Sequence, residues 1–396
     1  MQHQRAYRYR LEPTADQEAG LYRFAGARRW MWNWGLQRKQ DHYQQYKVGL
    51  SFRALCEELP RLKADPTTAW LKEIDSQLLQ QALRDLEQSF KAFFARRARY
   101  PRFKSRKRGA FSFRIPQRVT VADGRVYVPK IGDIKLRYHR PIVGETKSAT
   151  FTRDAAGHWY VSLIVAFDLS DEPAPLPPIE HTVGVDVGLK DFAVLSDGTR
   201  IAPPKFYRTA ERKLKRAQRA LSRKVTGSRN RAKARQQVAR LHTHVANQRR
   251  DWLHKQSAAI IRHYDAVCIE DLNVRGLAKS KLAKSIHDAG WSFFRSLLAY
   301  KTCWNRKHLA VIDRFYPSSR RCGQCGAINA DLQLADRGWR CTCGAVHDRD
   351  LNAATNIQHE GYRLLAAGHA DRRNACGQPP RPPMAAGLDE PGSLPL

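Results

Sequence analysis

Three carboxylates and four cysteines are the residues of this chain whose types and spacing point to chemistry. Asp186 lies in Val183-Gly-Val-Asp-Val-Gly188, Glu270 closes the apolar run Ala266-Val-Cys-Ile-Glu270, and Asp350 lies in His347-Asp-Arg-Asp-Leu-Asn-Ala-Ala354. The chain carries 70 Lys and Arg against 37 Asp and Glu, a formal net charge of +33. Carboxylates that end apolar strands are exceptions to that composition. Gathered in a strongly basic protein, they fit a metal-dependent enzyme acting on nucleic acid. Cys322-x-x-Cys325 and Cys341-x-Cys343 lie 15 residues apart, and thiolates at these spacings close a tetrahedral structural zinc site. His347 is near, but four thiolates already fill the site, and it is left out. Cys56, Cys268, Cys303 and Cys376 have no matching partners and read as buried or incidental thiols.

Each carboxylate also has a plainer reading. Asp186 could be a solvated residue of an ordinary hairpin, Asp271 competes with Glu270 on spacing alone, and Asp350 could be a helix cap. What weighs against three coincidences is recurrence, one acid after each of three punctuated segments.

The elements that must position these groups follow from periodicity. Val183, Val185 and Val187 share one face of a strand, so Gly184, Asp186 and Gly188 share the other. The glycines are expected to leave room for ions and a phosphate backbone beside the carboxylate. Phe192–Leu195 and the Asp197-Gly198 turn continue the sheet as a meander, and residues 266–269 read as a central strand buried on both faces. A helical stretch runs from Trp291 to Lys307, and a helix begins near Asp350.

Upstream, Ala6–Leu11 alternates as a strand, and residues 16–100 are mostly helical. Leu71, Ile74, Leu78, Leu79, Ala82, Leu83, Leu86 and Phe90 form the buried stripe of a helix ending near Phe94. Trp30, Trp32 and Trp34 cannot share one helix face and are mostly core. From Phe111 to Val165 the period falls to two, which predicts an antiparallel barrel or sandwich completed by the first strand. Asp171–Pro178, with four prolines, is a linker, and the chain beyond Ala367 reads as a disordered tail.

Two basic segments stand out. Residues 96–108 hold eight Lys or Arg and no acid, interleaved with Tyr100 and Phe103; residues 205–250 hold sixteen and one acid, Glu211. The second has Leu214 with Leu221, and Val238 with Leu241 and Val245, at helical spacing around a Gly227-Ser228 turn, so it predicts a basic helical hairpin. An independent coiled coil is disfavoured by the short apolar repeat and the missing acids. Arg102, Lys104, Arg216 and Arg223 are candidate nucleic-acid contacts. A pI near 10.3 points to a polyanionic partner. No run of 18 apolar residues and no signal-type segment is present, so a cytoplasmic protein with no membrane partner is expected. The paired cysteines fit a reducing compartment.

Taken together, Gly184-Val-Asp-Val-Gly-Leu-Lys-Asp-Phe-Ala193, Glu270-Asp-Leu-Asn273, the paired cysteines and His347-Asp-Arg-Asp-Leu-Asn-Ala-Ala-x-Asn356 resemble the TnpB family. These are transposon-encoded RNA-guided DNA endonucleases related to type V CRISPR effectors. The resemblance runs from Ala6 to Asn356 and implies an α/β and mixed fold. Its parts would be a wedge-type β-barrel (1–12 and 109–172), a helical recognition domain (13–108), and an RNase H-like RuvC nuclease domain (173–317 and 347–366). A zinc ribbon (318–346) would be inserted in the last, and a tail (367–396) would follow.

The resemblance also implies that Asp186, Glu270 and Asp350 are the catalytic residues, in preference to Asp271 and Asp348. They would hold two catalytic Mg²⁺ that activate water and stabilise the leaving oxygen, with Asp186 bridging, while one structural Zn²⁺ sits on the cysteines. Implied partners are a guide RNA from the element's own transcript and double-stranded target DNA, the protein reading a short flanking motif; a monomer is expected. Phe52, Ser76, Gln77 and Gln80 are the candidates for reading that motif. Rival functions are a DNA-strand transferase and a non-enzymatic zinc-ribbon nucleic-acid binder.

Overall fold

A computed structural model describes residues 2–106, 111–168, 177–333 and 335–368. The tail beyond 368, most of the proline-rich linker, and Lys107 and Arg108 of the first basic segment lie outside the described residues. The chain divides into two units, residues 1–172 and 173–396.

The first unit opens with β1 (Gln2–Glu12), followed by α1 (Ala15–Tyr46), α2 (Phe52–Glu57), α3 (Leu59–Ala64) and α4 (Ser76–Phe94). Helix α1 begins where Thr14 and Gln17 cap one another reciprocally. Helix α4 begins where the buried Asp75 carboxylate accepts from the backbone of Gln77 and Leu78 while pairing with Arg118 at 2.6 Å. Leu71 and Ile74 therefore precede the helix, in a 3₁₀ turn and its exit, although both are buried with its stripe. Strands β2 (Ser112–Ile115), β3 (Thr120–Ala122), β4 (Arg125–Val128), β5 (Gly132–Leu136), β6 (Glu145–Arg153) and β7 (Trp159–Asp168) complete one seven-stranded antiparallel sheet in the order β2-β6-β7-β1-β5-β4-β3. The first strand thus lies mid-sheet. Tyr7, Tyr9 and Leu11 face a core that also takes Phe113, Phe151, Trp159 and α1. Among the tryptophans, Trp32 is buried, and Trp30 and Trp34 stack on each other at its edge.

The second unit is a mixed α/β layer structure. Its sheet contains β8 (Thr182–Val187), β9 (Ala193–Leu195) and β10 (Arg200–Ile201), then α5 (Phe206–Ser222), α6 (Arg229–His263) and β11 (Ala266–Glu270). Helices α7 (Val274–Leu277), α8 (Ala283–Ala289) and α9 (Trp291–Trp304) lead to β12 (His308–Ile312), the hairpin β13 (Gly338–Arg340) and β14 (Val346–Asp348), and α10 (Arg349–Ala366). The strand order is β10-β9-β8-β11-β12, with β8, β11 and β12 parallel. Val183, Val185, Val267 and Ile269 face Leu253, Ile260, Phe294 and Leu298 of α6 and α9. On the opposite face, Cys268, Ala310 and Ile312 pack on Ile357 of α10.

Gly184 of β8 and Gly188 just after that strand do something other than expected. A Cβ at Gly184 would meet the Ala354 carbonyl oxygen at 1.9 Å and the Gln358 nitrogen at 2.6 Å, and one at Gly188 would meet the Asp191 carbonyl oxygen at 3.0 Å. Gly184 is bare because α10 lies on it, not to admit an ion. Gly361 of α10 is a second close approach, where a Cβ would come within 2.3 Å of Cys268 Sγ. Two glycines, one on the strand and one on the helix, let α10 lie close against the sheet.

Candidate active site and metal centre

Strand register brings the first two carboxylates together. Cys268 pairs with Gly184 and Ile269 with Val185, so Glu270 follows in register with Asp186. Both project to the α10 face, because side chains alternate along a strand. Ala354 and Gln358 of α10 lie over Gly184. One turn earlier on the same helix face comes Asp350, and it lines a cleft of about 120 Å³ with Asp186, Lys190 and Arg337.

The Asp186 carboxyl responds to the other two. Burial, then the charges of Asp350 and Glu270, push the Asp186 carboxyl up to about 8, with Arg349 opposing. Burial, then the charge of Asp271, raises Glu270 to about 7. Arg337 lies 3.9 Å from the Asp350 carboxylate.

The competing acids are occupied. Asp271 forms ion pairs with Arg314 and Arg295, and Arg314 foremost holds its carboxyl below the usual range. Asp348 is the N-cap of α10, accepting from Leu351 N at 3.0 Å and pairing with Arg200 at 2.9 Å. The capping role that sequence left open for Asp350 thus belongs to Asp348, two residues earlier.

The four cysteines converge. Cys322, Cys325, Cys341 and Cys343 have all Sγ atoms within 4.8 Å of one another; two of the separations are 3.7 Å (Cys322 to Cys343) and 3.5 Å (Cys325 to Cys341). Zn–S bonds of about 2.3 Å imply tetrahedron edges of about 3.8 Å, which these two separations approach. The two knuckles share a backbone pattern. Cys322 N donates to Ala327 O and Gly326 N to Cys322 O; Cys341 N donates to Ala345 O and Gly344 N to Cys341 O, each 2.8 to 3.0 Å. The positive φ of Gly326 (78°) and Gly344 (93°) permits both turns. A backbone hydrogen bond from Cys343 foremost lowers the Cys341 thiol, whereas Cys343, Cys341 and Cys322 together raise that of Cys325.

The residues after Asp350 tie this centre to the carboxylates. Asn352 accepts from Gly323 N and donates to Arg321 O, and Asn356 donates to Ser318 O and Arg321 O. One face of α10 therefore clamps the first knuckle while Ala353, Ala354 and Ile357 are buried. His347 Nε2 lies 3.0 Å from Cys322 Sγ and its ring 4.7 Å from Trp339. The four-thiol cluster does not include His347, in keeping with its omission from the ligand set, and Arg337 is a cleft residue that nothing in the spacing marks.

The nucleic-acid candidates divide into free and engaged side chains. Arg216 on α5 and Arg223 at its C-cap are exposed and, with Arg212, Lys215 and Arg219, line a groove of about 400 Å³. The buried Asp288 fixes this helix by accepting from Tyr207 N and pairing with Arg249 at 2.8 Å. Arg102 and Gln80 are exposed. Lys104 is turned inward, its ammonium 3.5 Å from the centre of the Trp32 ring and its pKa lowered by burial to about 8. Phe52 packs at the core edge under Arg84, Ser76 accepts from Lys63, and Gln77 donates to Gln117.

Comparison with known proteins gives this geometry a context. Residues 166–281 match a family described as "Probable transposase", and residues 291–357 match "Cas12f1-like, TNB domain". Residues 1–47 match a family described as "Helix-turn-helix domain", although here they form one strand and one continuous helix. A "Putative RNA-guided DNA endonuclease" from Streptomyces pristinaespiralis is 41% identical over 96% of this chain and 92% of its own length. The chain belongs to the TnpB family. A second TnpB-family relative, "Putative RNA-guided DNA endonuclease InsQ" from Escherichia coli (strain K12), is 35% identical over 93% of this chain and 95% of its own. Among solved structures, that of a Cas12f1-sgRNA-target DNA complex overlays with a TM-score of 0.48 at 14% identity, covering 90% of this chain and 99% of that one. Among the described residues, no helix of this TnpB-family chain is long and apolar enough to cross a membrane.

Proposed function

We propose that this chain is an RNA-guided, Mg²⁺-dependent DNA endonuclease of a transposable element, cutting next to a short flanking motif. The observation that carries the reading is the meeting of Asp186, Glu270 and Asp350 on one sheet face, where Asp186 is driven to about 8. Three carboxylates brought this close repel one another when ionised, and a bound divalent cation would relieve that repulsion. Oxygen donors from three carboxylates suit Mg²⁺, which when bound would polarise an attacking water and take up charge on the leaving oxygen. The chain's own contribution is to fix the three acids on a strand end, a neighbouring strand end and a helix start, and to aim Arg337 and Lys190 at the cleft. The names of the two relatives support the guided reading.

On this reading residues 173–317 and 347–366 are an RNase H-like RuvC domain with the zinc ribbon 318–346 inserted. Residues 1–12 with 109–172 serve as a wedge-type barrel and 13–108 as the recognition domain. The exposed cations of α5 are the proposed contacts to nucleic-acid phosphate. The description "Probable transposase" favours a strand transferase as the second reading, which would leave joined DNA ends in place of cut ones.

Neighbouring acids test the assignment. Glu270→Gln is expected to abolish cleavage. Asp271→Asn, which breaks two partly exposed ion pairs, should cost about 1 kcal/mol of stability and keep cleavage. The reverse pattern in a gel-based cleavage assay would move the site to Asp271.

The raised carboxyls also set a pH dependence. Asp186 near 8 and Glu270 near 7 compare with roughly 4 in an unfolded chain. Between those values the folded state retains protons that the unfolded state has released, so these groups weaken the fold as pH rises. Below about pH 4 both states are protonated and the effect vanishes. Metal-free wild type should therefore lose melting temperature relative to Asp186→Asn as pH goes from 5 to 8, and Mg²⁺ should narrow the gap. A gap independent of both pH and Mg²⁺ would show that Asp186 is not the strained carboxylate described here.

A further inference from the structure

Phe315 is 86% exposed, the highest value among the large apolar side chains of the described residues. A single exposed ring is ordinary on a protein surface; its setting is not. Strand β12 ends at Ile312, which stands opposite Glu270 in the parallel register and accepts from Asp271 N at 3.1 Å. Beyond it the chain makes a tight turn. The Asp313 carboxylate accepts from Phe315 N at 2.7 Å, and the Asp313 carbonyl accepts from Tyr316 N at 3.1 Å. Arg314 is held by the Asp271 carboxylate, and Tyr316 packs against the core formed by Cys268, Ala310, Ile312 and Ile357. Both neighbours of Phe315 are thus tied down at the sheet end that carries Glu270, and the ring between them is left in solvent.

We propose that Phe315 is a stacking shelf for one unpaired base of the DNA strand that enters the carboxylate site. The inference rests on the nuclease reading above. An aromatic face accepts any base, which suits an enzyme whose sequence choice lies elsewhere, and it accepts a base only when that base has left its own stack. The occupant is therefore a single strand. Because the turn is already ordered, stacking there would cost little conformational entropy and would hold the backbone beside the acids. Phe315 is a positioning residue in this account, with no part in proton or metal chemistry.

The test uses the full-length protein purified with RNA from its native flanking transcript. Phe315→Ala is expected to lower the single-turnover cleavage rate about tenfold, with melting temperature unchanged because the ring is exposed, and Phe315→Trp to restore it. In an Asp186→Ala background, single-stranded DNA carrying 2-aminopurine at successive positions should show quenching at one position. That quenching should be lost with Phe315→Ala and kept with Phe315→Trp. Wild-type cleavage by Phe315→Ala together with an unchanged quenching profile would overturn the proposal while leaving the acidic site intact. Cleavage retained by Asp186→Ala alone would instead bring down the nuclease site itself.

Discussion

Asp186→Ala is expected to lower Mg²⁺-dependent DNA cleavage by at least roughly 10³-fold while leaving nucleic-acid affinity within about threefold of wild type. The size of the effect follows from position. Asp186 lies between Glu270, in register on the neighbouring strand, and Asp350 on the helix above, and its carboxyl responds to both charges. Affinity should survive because it comes from the basic surface, above all the exposed face of α5. The substitution should not harm the fold, since it relieves the repulsion that Asp350 and Glu270 exert on this carboxylate. Cleavage and binding measured on the same preparation separate these expectations, and substantial cleavage by the variant would remove Asp186 from the site.

The second large effect concerns the four cysteines. Metal analysis should find about one zinc per chain, and Cys322→Ser with Cys325→Ser should lose it. Structural zinc supplies about 10–16 kcal/mol in small metal-bound folds, as much as the whole stability of a typical domain. The ribbon has only a small core of its own, Leu332 and Trp339 beside the cysteines, so residues 318–346 should become accessible to protease. Cleavage should fall as well, because Asn352 and Asn356 join the first knuckle to the helix that carries Asp350. Full zinc content in the double variant would overturn the assignment.

Much of this arrangement was legible in the sequence, for identifiable reasons. Residues 266–269 form an unbroken apolar run because β11 is covered on both faces, and the Gly227-Ser228 turn separates α5 from α6 because Gly227 sits at φ 86° and Ser228 caps the next helix. Cysteine spacing carried the metal centre because knuckle geometry is local. What spacing could not resolve was partnership across the chain. Glu270 and Asp271 are adjacent, and only the arrival of Arg295 and Arg314 on one of them distinguishes the two. Asp348 and Asp350 are separated by Arg200, which comes from the far edge of the sheet. Gly184 was read as space for an ion because the helix that fills that space lies about 170 residues downstream. Lys104 was read as a free cation because nothing local reveals Trp32 beneath it. In each case the local pattern is silent about a neighbour that comes from elsewhere in the chain.

The central claim is guidance by RNA, and the measurement that tests it most directly is a change of guide. The protein expressed with its native flanking transcript should copurify with a discrete RNA, since a net charge of +33 matches far more phosphate than a short duplex site presents. Replacing the guide segment of that RNA with an unrelated sequence should move cleavage to DNA that pairs with the new segment and abolish it at the old site. Cutting that stays at the original sites after the exchange, or proceeds with the same selectivity in RNA-free protein, would contradict the account.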